Sequence, residues 1–495
     1  MSAPGLAPQV RALLGDAVEL YAGTPEEPAL RAQAAQLDAP LRVAIAGRIK
    51  AGKSTLLNAL VGEHVGATDA GECTRIVTWY EDGLTYRVWA HPVEGEPEQV
   101  RFRRTEERLE IELGLWRAEQ LRRLVVEFPS AHLRTVSLID TPGLGSLSTD
   151  VSQRTVDFLT GDQPQGGGAD AVIYLLPHLH ASDVHFLEAF HRSGVGETLP
   201  LNAIGVLSRA DEIGAGRTDG LDVARQVAHR YEADERVRRL VQTVVPVAGL
   251  LAEGAATLRQ HEFASFSVLA REPVDDVTSM LLSVDRFRGD AMTAVGREER
   301  ARLVDRFGFL GVKLAVALLR ARVVDSAPAL ARELLVRSGL ERLRAILTSQ
   351  FTERRDVLKA RAAAAVVERA LATTPRPGSD ALRRRLEELT SASHDFAELR
   401  LLNDLRVGAV VLADDERARA ERLLGAEGGA ARTRLGLPDD APADAVRAGL
   451  LTTLAHWQAR AEDPLGDRTR RRAAAVLRRT CEGMFLDPEL SGSTT

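Results

Sequence analysis

Cysteine is nearly missing from this chain of 495 residues: Cys73 and Cys481 stand far apart, without metal-ligand spacing. Such a pair builds no disulfide framework, which points to a reducing, cytoplasmic compartment. Aromatic residues are scarce at 4%, while Ala, Leu and Arg abound. That balance favours helix, because these side chains lose little rotamer freedom there. A basic excess is missing too. The formal net charge is −6, and acidic and basic residues interleave, which argues against non-specific nucleic-acid binding. No apolar run is long enough to span a bilayer. The best, Leu310 to Leu319, is broken by Lys313, so no transmembrane segment is expected. The chain opens without a basic segment followed by an apolar one, so no signal peptide is expected. Its helical stretches lack a fixed repeat length, which argues against a solenoid.

What is present is a globular composition, 45% hydrophobic and 27% charged, in a chain long enough for several cores. One stretch organises it. Gly47-Arg48-Ile49-Lys50-Ala51-Gly52-Lys53-Ser54-Thr55 fits the G-x-x-x-x-G-K-[ST] phosphate loop. The apolar run Leu41–Ala46 leads in as a buried strand, and Thr55–Val61 leads out as a helix. Glycines let backbone N–H groups turn inward on phosphates, and the helix N-terminus adds its positive dipole end. The expected nucleotide contacts are Gly47, Arg48, Ala51, Gly52, Lys53, Ser54 and Thr55. Lys53 would reach the β- and γ-phosphates, and the Ser54 hydroxyl would hold Mg²⁺.

Strand and helix patterns alternate from Leu41 to about Gly249, the sign of a mainly parallel sheet with helices on both faces. Ile76–Tyr80 and Tyr86–Ala90 read as strands, and Val100–Arg103 with Leu109–Leu113 as an insertion. Leu124–Phe128 and Thr135–Ile139 read as an antiparallel pair, and Val151–Leu159 as a helix. Ala171–Leu176, Asn202–Leu207 and Val241–Pro246 are further strands. Before the first strand, Val10–Tyr21 and Glu26–Leu37 read as helices whose Leu13, Leu14, Val18 and Tyr21 need a packing partner. Beyond Gly249 the pattern is helical throughout: Asp276–Asp285, Glu298–Phe307, Val312–Val324, Pro328–Leu335, Leu340–Thr373, Ser379–Leu405, Ala413–Leu424, Ala443–Ala461 and Pro464 to about Phe485.

Further motifs choose the nucleotide. Thr74, before Arg75, can close over the γ-phosphate and complete the Mg²⁺ shell. Asp140-Thr141-Pro142-Gly143 follows a strand; its carboxylate suits Mg²⁺ held through water, and the Gly143 N–H a γ-phosphate contact. Leu144 stands where many GTPases place a water-orienting glutamine, and leucine cannot orient water. Ser208-Arg209-Ala210-Asp211 matches [NT]-K-x-D with two substitutions. Asp211 would accept from the guanine N1–H and amino group, a donor pair adenine lacks. Arg209 could lie along base and sugar. Ala248, in Val247-Ala248-Gly249, is the position whose backbone N–H could reach the guanine O6.

Together, Gly47–Ser54, Thr74-Arg75, Asp140–Gly143 and Ser208–Asp211, ahead of a long helical half, resemble the dynamin superfamily, and within it the bacterial dynamin-like proteins. The similarity extends through Leu281–Phe287 and Arg306-Phe307-Gly308. The resemblance implies a GTPase domain over residues 40–255, helices 1–39 joining a helical neck, and a neck and trunk over 256–490; the small polar residues of 491–495 read as a disordered tail. It implies GTP as substrate with Mg²⁺, head dimerisation or assembly with a related chain, and membrane remodelling or repair at the inner face of the cell membrane. A GTP-binding regulatory or scaffold protein with little turnover is the alternative. Lys50 stands where a relative family carries an internal arginine finger. It is read as compensating charge between the β- and γ-phosphates, against the plainer reading of a solvated or paired lysine. His178, His180, His185 and His191 lack good zinc spacing. Phe307, Phe309 and Leu310 suit a packing core more than an exposed tip. Arg383–Arg385 and Arg470–Arg472 suit solvated helix faces more than lipid contacts.

Overall fold

A computed structural model describes residues 6–66, 76–105, 109–142, 168–178, 183–185, 187–188, 202–213, 219–289 and 293–485. Thr74, Arg75, Gly143, Leu144, His180, His191, the helix expected over 151–159 and the 491–495 tail lie outside these residues. The strands are β1 (Leu41–Gly47), β2 (Thr78–Asp82), β3 (Arg87–Pro92), β4 (Glu98–Gln99), β5 (Arg101–Arg104), β6 (Leu109–Glu112), β7 (Leu121–Phe128), β8 (Val136–Asp140), β9 (Ala171–Leu175), β10 (Ala203–Ser208) and β11 (Val244–Val247). The helices of the first half are α1 (Leu6–Leu20), α2 (Glu27–Gln36), α3 (Lys53–Val61), α4 (Gly220–Ala233) and α5 (Glu235–Arg238). Those that follow β11 are α6 (Gly249–Ala256), α7 (Gln260–Arg271), α8 (Val274–Met280), α9 (Val284–Arg288), α10 (Arg297–Arg320), α11 (Ala327–Ser338), α12 (Leu340–Leu347), α13 (Arg355–Thr373), α14 (Ser379–Ala392), α15 (His394–Val407), α16 (Asp414–Leu423), α17 (Ala431–Leu435), α18 (Ala443–Glu462) and α19 (Arg468–Met484).

One mixed sheet runs β11-β10-β9-β1-β8-β2-β7-β3-β4. From β11 to β8 every pairing is parallel. Parallel strands are buried on both faces, so their sequences read as apolar runs rather than alternations. In β1, Val43 and Ile45 join the core on one face of the sheet, and Ala44 and Ala46 join the core on the other. β5 and β6 form a separate two-stranded ribbon, as the local insertion suggested. The antiparallel pairing of Leu124–Phe128 with Thr135–Ile139 is corrected. β2 lies between β7 and β8, antiparallel to β8 and parallel to β7. Nearness in sequence favours a hairpin, but inserting β2 pairs all three strands.

Among the described residues no strand follows β11. Helix boundaries depart from the sequence pattern in five places. α6 and α7 fill the stretch before the first expected helix. The Asp276–Asp285 segment divides at Leu281–Ser283 into α8 and α9. Glu298–Phe307 and Val312–Val324 are one helix, α10, whose single non-helical residue is Gly308 at φ 68°, ψ 164°. Leu340–Thr373 divides at a π-turn over Thr348–Thr352, and Ser379–Leu405 divides at the extended Ser393. Phe307 and Leu310 are fully buried, so that segment is core.

α1 finds its partner on α13 and α14. Val10, Leu13, Leu14 and Tyr21 bury completely against Ala363, Val367, Leu382 and neighbours. The link between α2 and β1 is also clamped. Arg355 donates to the Asp38 and Ala39 carbonyls, both at 2.8 Å, and Lys359 donates to the Gln36 carbonyl. Lys359 and Arg42 converge on buried Asp170 at the edge of β9, at 3.8 and 3.2 Å. The two cations hold the Asp170 carboxyl below its ordinary range despite its burial.

Candidate nucleotide site

The parallel strands β1, β8, β10 and β11 end on one rim of the sheet, the place where open α/β sheets bind ligands. β1 ends at Gly47, whose φ is 149°; a Cβ there would stand 2.9 Å from the Leu175 carbonyl oxygen. Only glycine lets the loop leave the strand this closely. Gly52 (φ 96°) turns the chain into α3. Between them Lys50 holds φ 63° without being glycine, a conformation that costs a side-chain-bearing residue about 1–2 kcal/mol. Its carbonyl accepts a 2.8 Å hydrogen bond from the Arg209 guanidinium. Arg209 is itself left-handed at φ 55° and also reaches Glu212 at 3.3 Å. Arg209 therefore ties the turn after β10 to the loop between β1 and α3.

Lys53 folds back over the loop, its ammonium 3.4 Å from the Gly47 and Arg48 carbonyls. Burial pulls its pKa down, and the charge of Asp140 opposes that pull. The Ser54 hydroxyl donates to Asp140 Oδ2 at 3.2 Å. Asp140 Oδ1 is buried and, among the described residues, has no hydrogen-bond partner. Burial pushes this carboxyl up to about 6; Lys53, Ser54 and the Thr141 N–H counteract it in part. A hydroxyl beside a carboxylate oxygen with an unfilled lone pair is a donor set that suits a divalent cation preferring oxygen ligands and water. Among the described residues no cluster of three or more His, Cys, Asp or Glu offers a metal site of another kind.

Beside the loop lies a cavity of about 160 Å³, walled by Ala51, Gly52, Thr55, Ser208, Arg209 and Asp211, and closed by Val247, Gly249 and Leu250. Sequence-distant motifs thus meet in one cleft. Asp211 is largely enclosed, and burial raises its carboxyl above the usual range. The Ser208 hydroxyl is buried with no partner among the described residues. The part given to Ala248 is corrected. Its N–H already donates to the Ser338 carbonyl at 2.9 Å and its side chain is fully buried, so it is not a free donor for a base. Gly249 and Leu250, in the first turn of α6, line the cleft instead.

A polar chain behind the site went unread in the sequence. Asn58 of α3 accepts from the Val65 and Gly66 N–H groups at 2.9 and 2.6 Å, just past the end of α3. Its amide donates to Glu253 at 2.8 Å. Glu253 also takes His64 Nδ1 at 3.0 Å, and His64 Nε2 meets the Arg306 guanidinium at 3.1 Å. Arginine only donates, so the imidazole is the Nδ1–H tautomer. Arg306 then pairs with buried Glu262 and donates to the Thr257 carbonyl. A helical Asn, an isolated His and an Arg among many arginines carry no local signal. Only the fold joins them.

The family described as "Dynamin family" matches residues 43–163. The isoniazid-induced protein IniC of Mycobacterium tuberculosis is 41% identical over 489 residues, covering 97% of this chain and 98% of that one. A bacterial dynamin-like protein of Nostoc punctiforme is 32% identical over 114 residues, 21% of this chain and 16% of its own length. Among solved structures, an oligomerised bacterial dynamin pair, described as a mechanism for long-range sensing and tethering of membranes, covers 97% of this chain at 12% identity with a TM-score of 0.33.

Proposed function

We propose that this chain, which belongs to the dynamin-like family of the isoniazid-induced protein IniC, binds GTP with Mg²⁺ at the rim of its sheet and hydrolyses it. The observation that carries the reading is the meeting of Lys53, Ser54 and Asp140 with a cavity walled by Asp211. In this reading Lys53 holds the β- and γ-phosphates, and backbone N–H groups of Gly47–Thr55 cradle them. Ser54 and Asp140 would hold the metal, Asp140 through water, and Thr74 would complete its shell. The metal, when bound, neutralises charge on the phosphate oxygens. The Gly143 N–H contacts the γ-phosphate. Asp211 accepts from the guanine N1–H and amino group, and Ser208 with Gly249 and Leu250 closes around the base. Arg209 releases Lys50 when it turns toward the base. Lys50 then lends its charge to the phosphates, most effectively where a second head excludes water.

The domain partition proposed with this reading is a GTPase head over 40–255, with 1–39 and 256–490 forming neck and trunk. Head dimerisation or assembly with a related dynamin-like chain, and membrane binding and remodelling from the cytoplasmic side, belong to the same proposal. Among the described residues no helix is long and apolar enough to cross a membrane, which fits peripheral contact. The experiment is GTP and ATP turnover with Mg²⁺, with and without liposomes, paired with liposome co-sedimentation in GTP, GDP and a non-hydrolysable analogue. GTP-selective turnover that liposomes raise is the expected result. Leu144, in place of a water-orienting glutamine, favours a second reading: a GTP-binding regulator or scaffold. Tight guanine-specific binding without turnover at any protein concentration would select it.

A further inference from the structure

Gly308 interrupts α10 at one residue. Its φ of 68° and ψ of 164° lie in a region essentially open to glycine alone. The break does not lie over solvent. A Cβ at Gly308 would stand 3.1 Å from Asp211 Oδ2 and 3.9 Å from Leu250 Cβ. The first distance is shorter than van der Waals contact, so one side must give.

The helix side is pinned on both flanks of the break. Arg306 is held by Glu262, Thr257 and His64. Phe307 is fully buried and meets Phe266 edge-on with centroids 5.1 Å apart. Gly254 lies so close beneath it that a Cβ there would stand 2.7 Å from the Phe307 ring. Past the break, a Cβ on Gly311 would stand 3.0 Å from Leu251. The Asp211 side has room. A second cavity, about 480 Å³, opens beyond the carboxylate and is lined by Asp211, Glu212, Leu250, Arg288, Asp305 and Gly308 among others. Asp211 therefore stands as a partition between the base cleft and this second space. A group added at Gly308 strains a backbone that only glycine tolerates, and with the flanks pinned the neighbour that has room to give is the Asp211 carboxylate.

We infer that Gly308, far from the base loop in sequence, is a positioning residue that seats the Asp211 carboxylate and so sets the guanine preference of the cleft. The inference rests on the reading of Asp211 as the base-recognising carboxylate. Burial of that carboxyl, which raises its pKa, agrees with a group whose placement is decided by its walls. An exposed carboxylate would adapt at no cost. One held between two cavities keeps its aim only while both walls keep theirs.

The test measures GDP and IDP affinities, with Mg²⁺, for the full chain, Gly308→Ala, Asp211→Ala and the double variant. IDP lacks the 2-amino group, so the GDP-to-IDP preference reads the carboxylate contact and cancels losses common to both. Gly308→Ala is expected to cut that preference at least fivefold, and to add less than twofold once Asp211 is alanine. A preserved preference, an equal loss for both nucleotides, or an additive effect in the Asp211→Ala background overturns the inference. Should Asp211→Ala keep the full guanine preference, the reading of Asp211 fails, and the inference with it; Asp211→Ala losing it while Gly308→Ala keeps it sinks the inference alone. If Gly308→Ala does not fold, hydrogen exchange on the natural chain decides. GDP is expected to slow the amides of 309–312 at least threefold more than IDP does, and equal slowing overturns the inference.

Discussion

Replacing Asp140 by asparagine should make the nucleotide-free protein more stable while disabling it. The carboxyl is pushed from an ordinary 3.8 up to about 6 by burial. A shift of that size corresponds to about 3 kcal/mol between the charged and neutral forms. Below the unfolded value, near 3.8, folded and unfolded chains both bind the proton, and the site costs nothing. As pH rises, the unfolded chain loses its proton first. Above about 6 the folded chain must hold a buried anion. The cost to the folded state is then about 1 kcal/mol at pH 4.5 and about 3 kcal/mol at pH 7.5 by linkage. An asparagine side chain would carry none of it and can still accept from the Ser54 hydroxyl. Urea denaturation of both proteins, without nucleotide or divalent cation, at the two pH values measures the difference. The advantage of Asp140→Asn should grow by about 2 kcal/mol from pH 4.5 to 7.5. An advantage independent of pH, or a loss of stability at pH 7.5, would refute the reasoning. The same variant should lose the Mg²⁺ dependence of GTP affinity. In the natural protein that dependence should weaken by up to about tenfold per pH unit below 6, as the proton competes for the carboxylate.

Lys50→Ala should bind GTP within about twofold of the natural chain yet lose most turnover at protein concentrations that favour paired heads; full turnover would reduce Lys50 to a solvated lysine. Arg306→Ala leaves Glu262, 3% exposed, without its cation, and should cost about 3–5 kcal/mol in urea unfolding. A cost below about 1 kcal/mol would mean that water reaches Glu262. Gly339→Ala places a Cβ 2.2 Å from the Pro246 carbonyl oxygen at a φ of 83°. It should lower stability by more than about 2 kcal/mol, and a neutral result would show that α11 and α12 can move apart from β11.

The phosphate loop was legible because its chemistry is local: a strand, two glycines, Lys53 and Ser54 lie within one short stretch. The fold class was legible for a similar reason, since β1, β9 and β10 are apolar runs of a kind only a doubly covered sheet requires. Strand order was not. Nothing in Thr78–Asp82 announces that it slips between β7 and β8, because each strand carries side chains fit for either neighbour. The α10 break was half visible, as a gap between two helical patterns, Glu298–Phe307 and Val312–Val324. That the chain stays helical across it depends on tertiary packing of Gly254 and Gly311, which no window of sequence contains. Ala248 was misread because its competitor for hydrogen bonding, Ser338, sits 90 positions away. The Asn58–Glu253–His64–Arg306 chain was invisible for the same reason.

The packing of α1 and α2 on α13 and α14 has a consequence for how the protein is made. Tyr21 meets Ser379, its buried hydroxyl neighbour, across 358 positions of chain. At about 5–20 residues per second a ribosome needs roughly 20–70 s to travel that distance. Through that interval Val10, Leu13, Leu14 and Tyr21 are synthesised, finished and without the helices that will cover them, while the sheet between can assemble. The earliest helices are thus among the last to be buried. The nascent chain carries an apolar stripe past its own folding sheet, a period when holding chaperones or premature association between neighbouring chains would act on residues 6–36 before any other part.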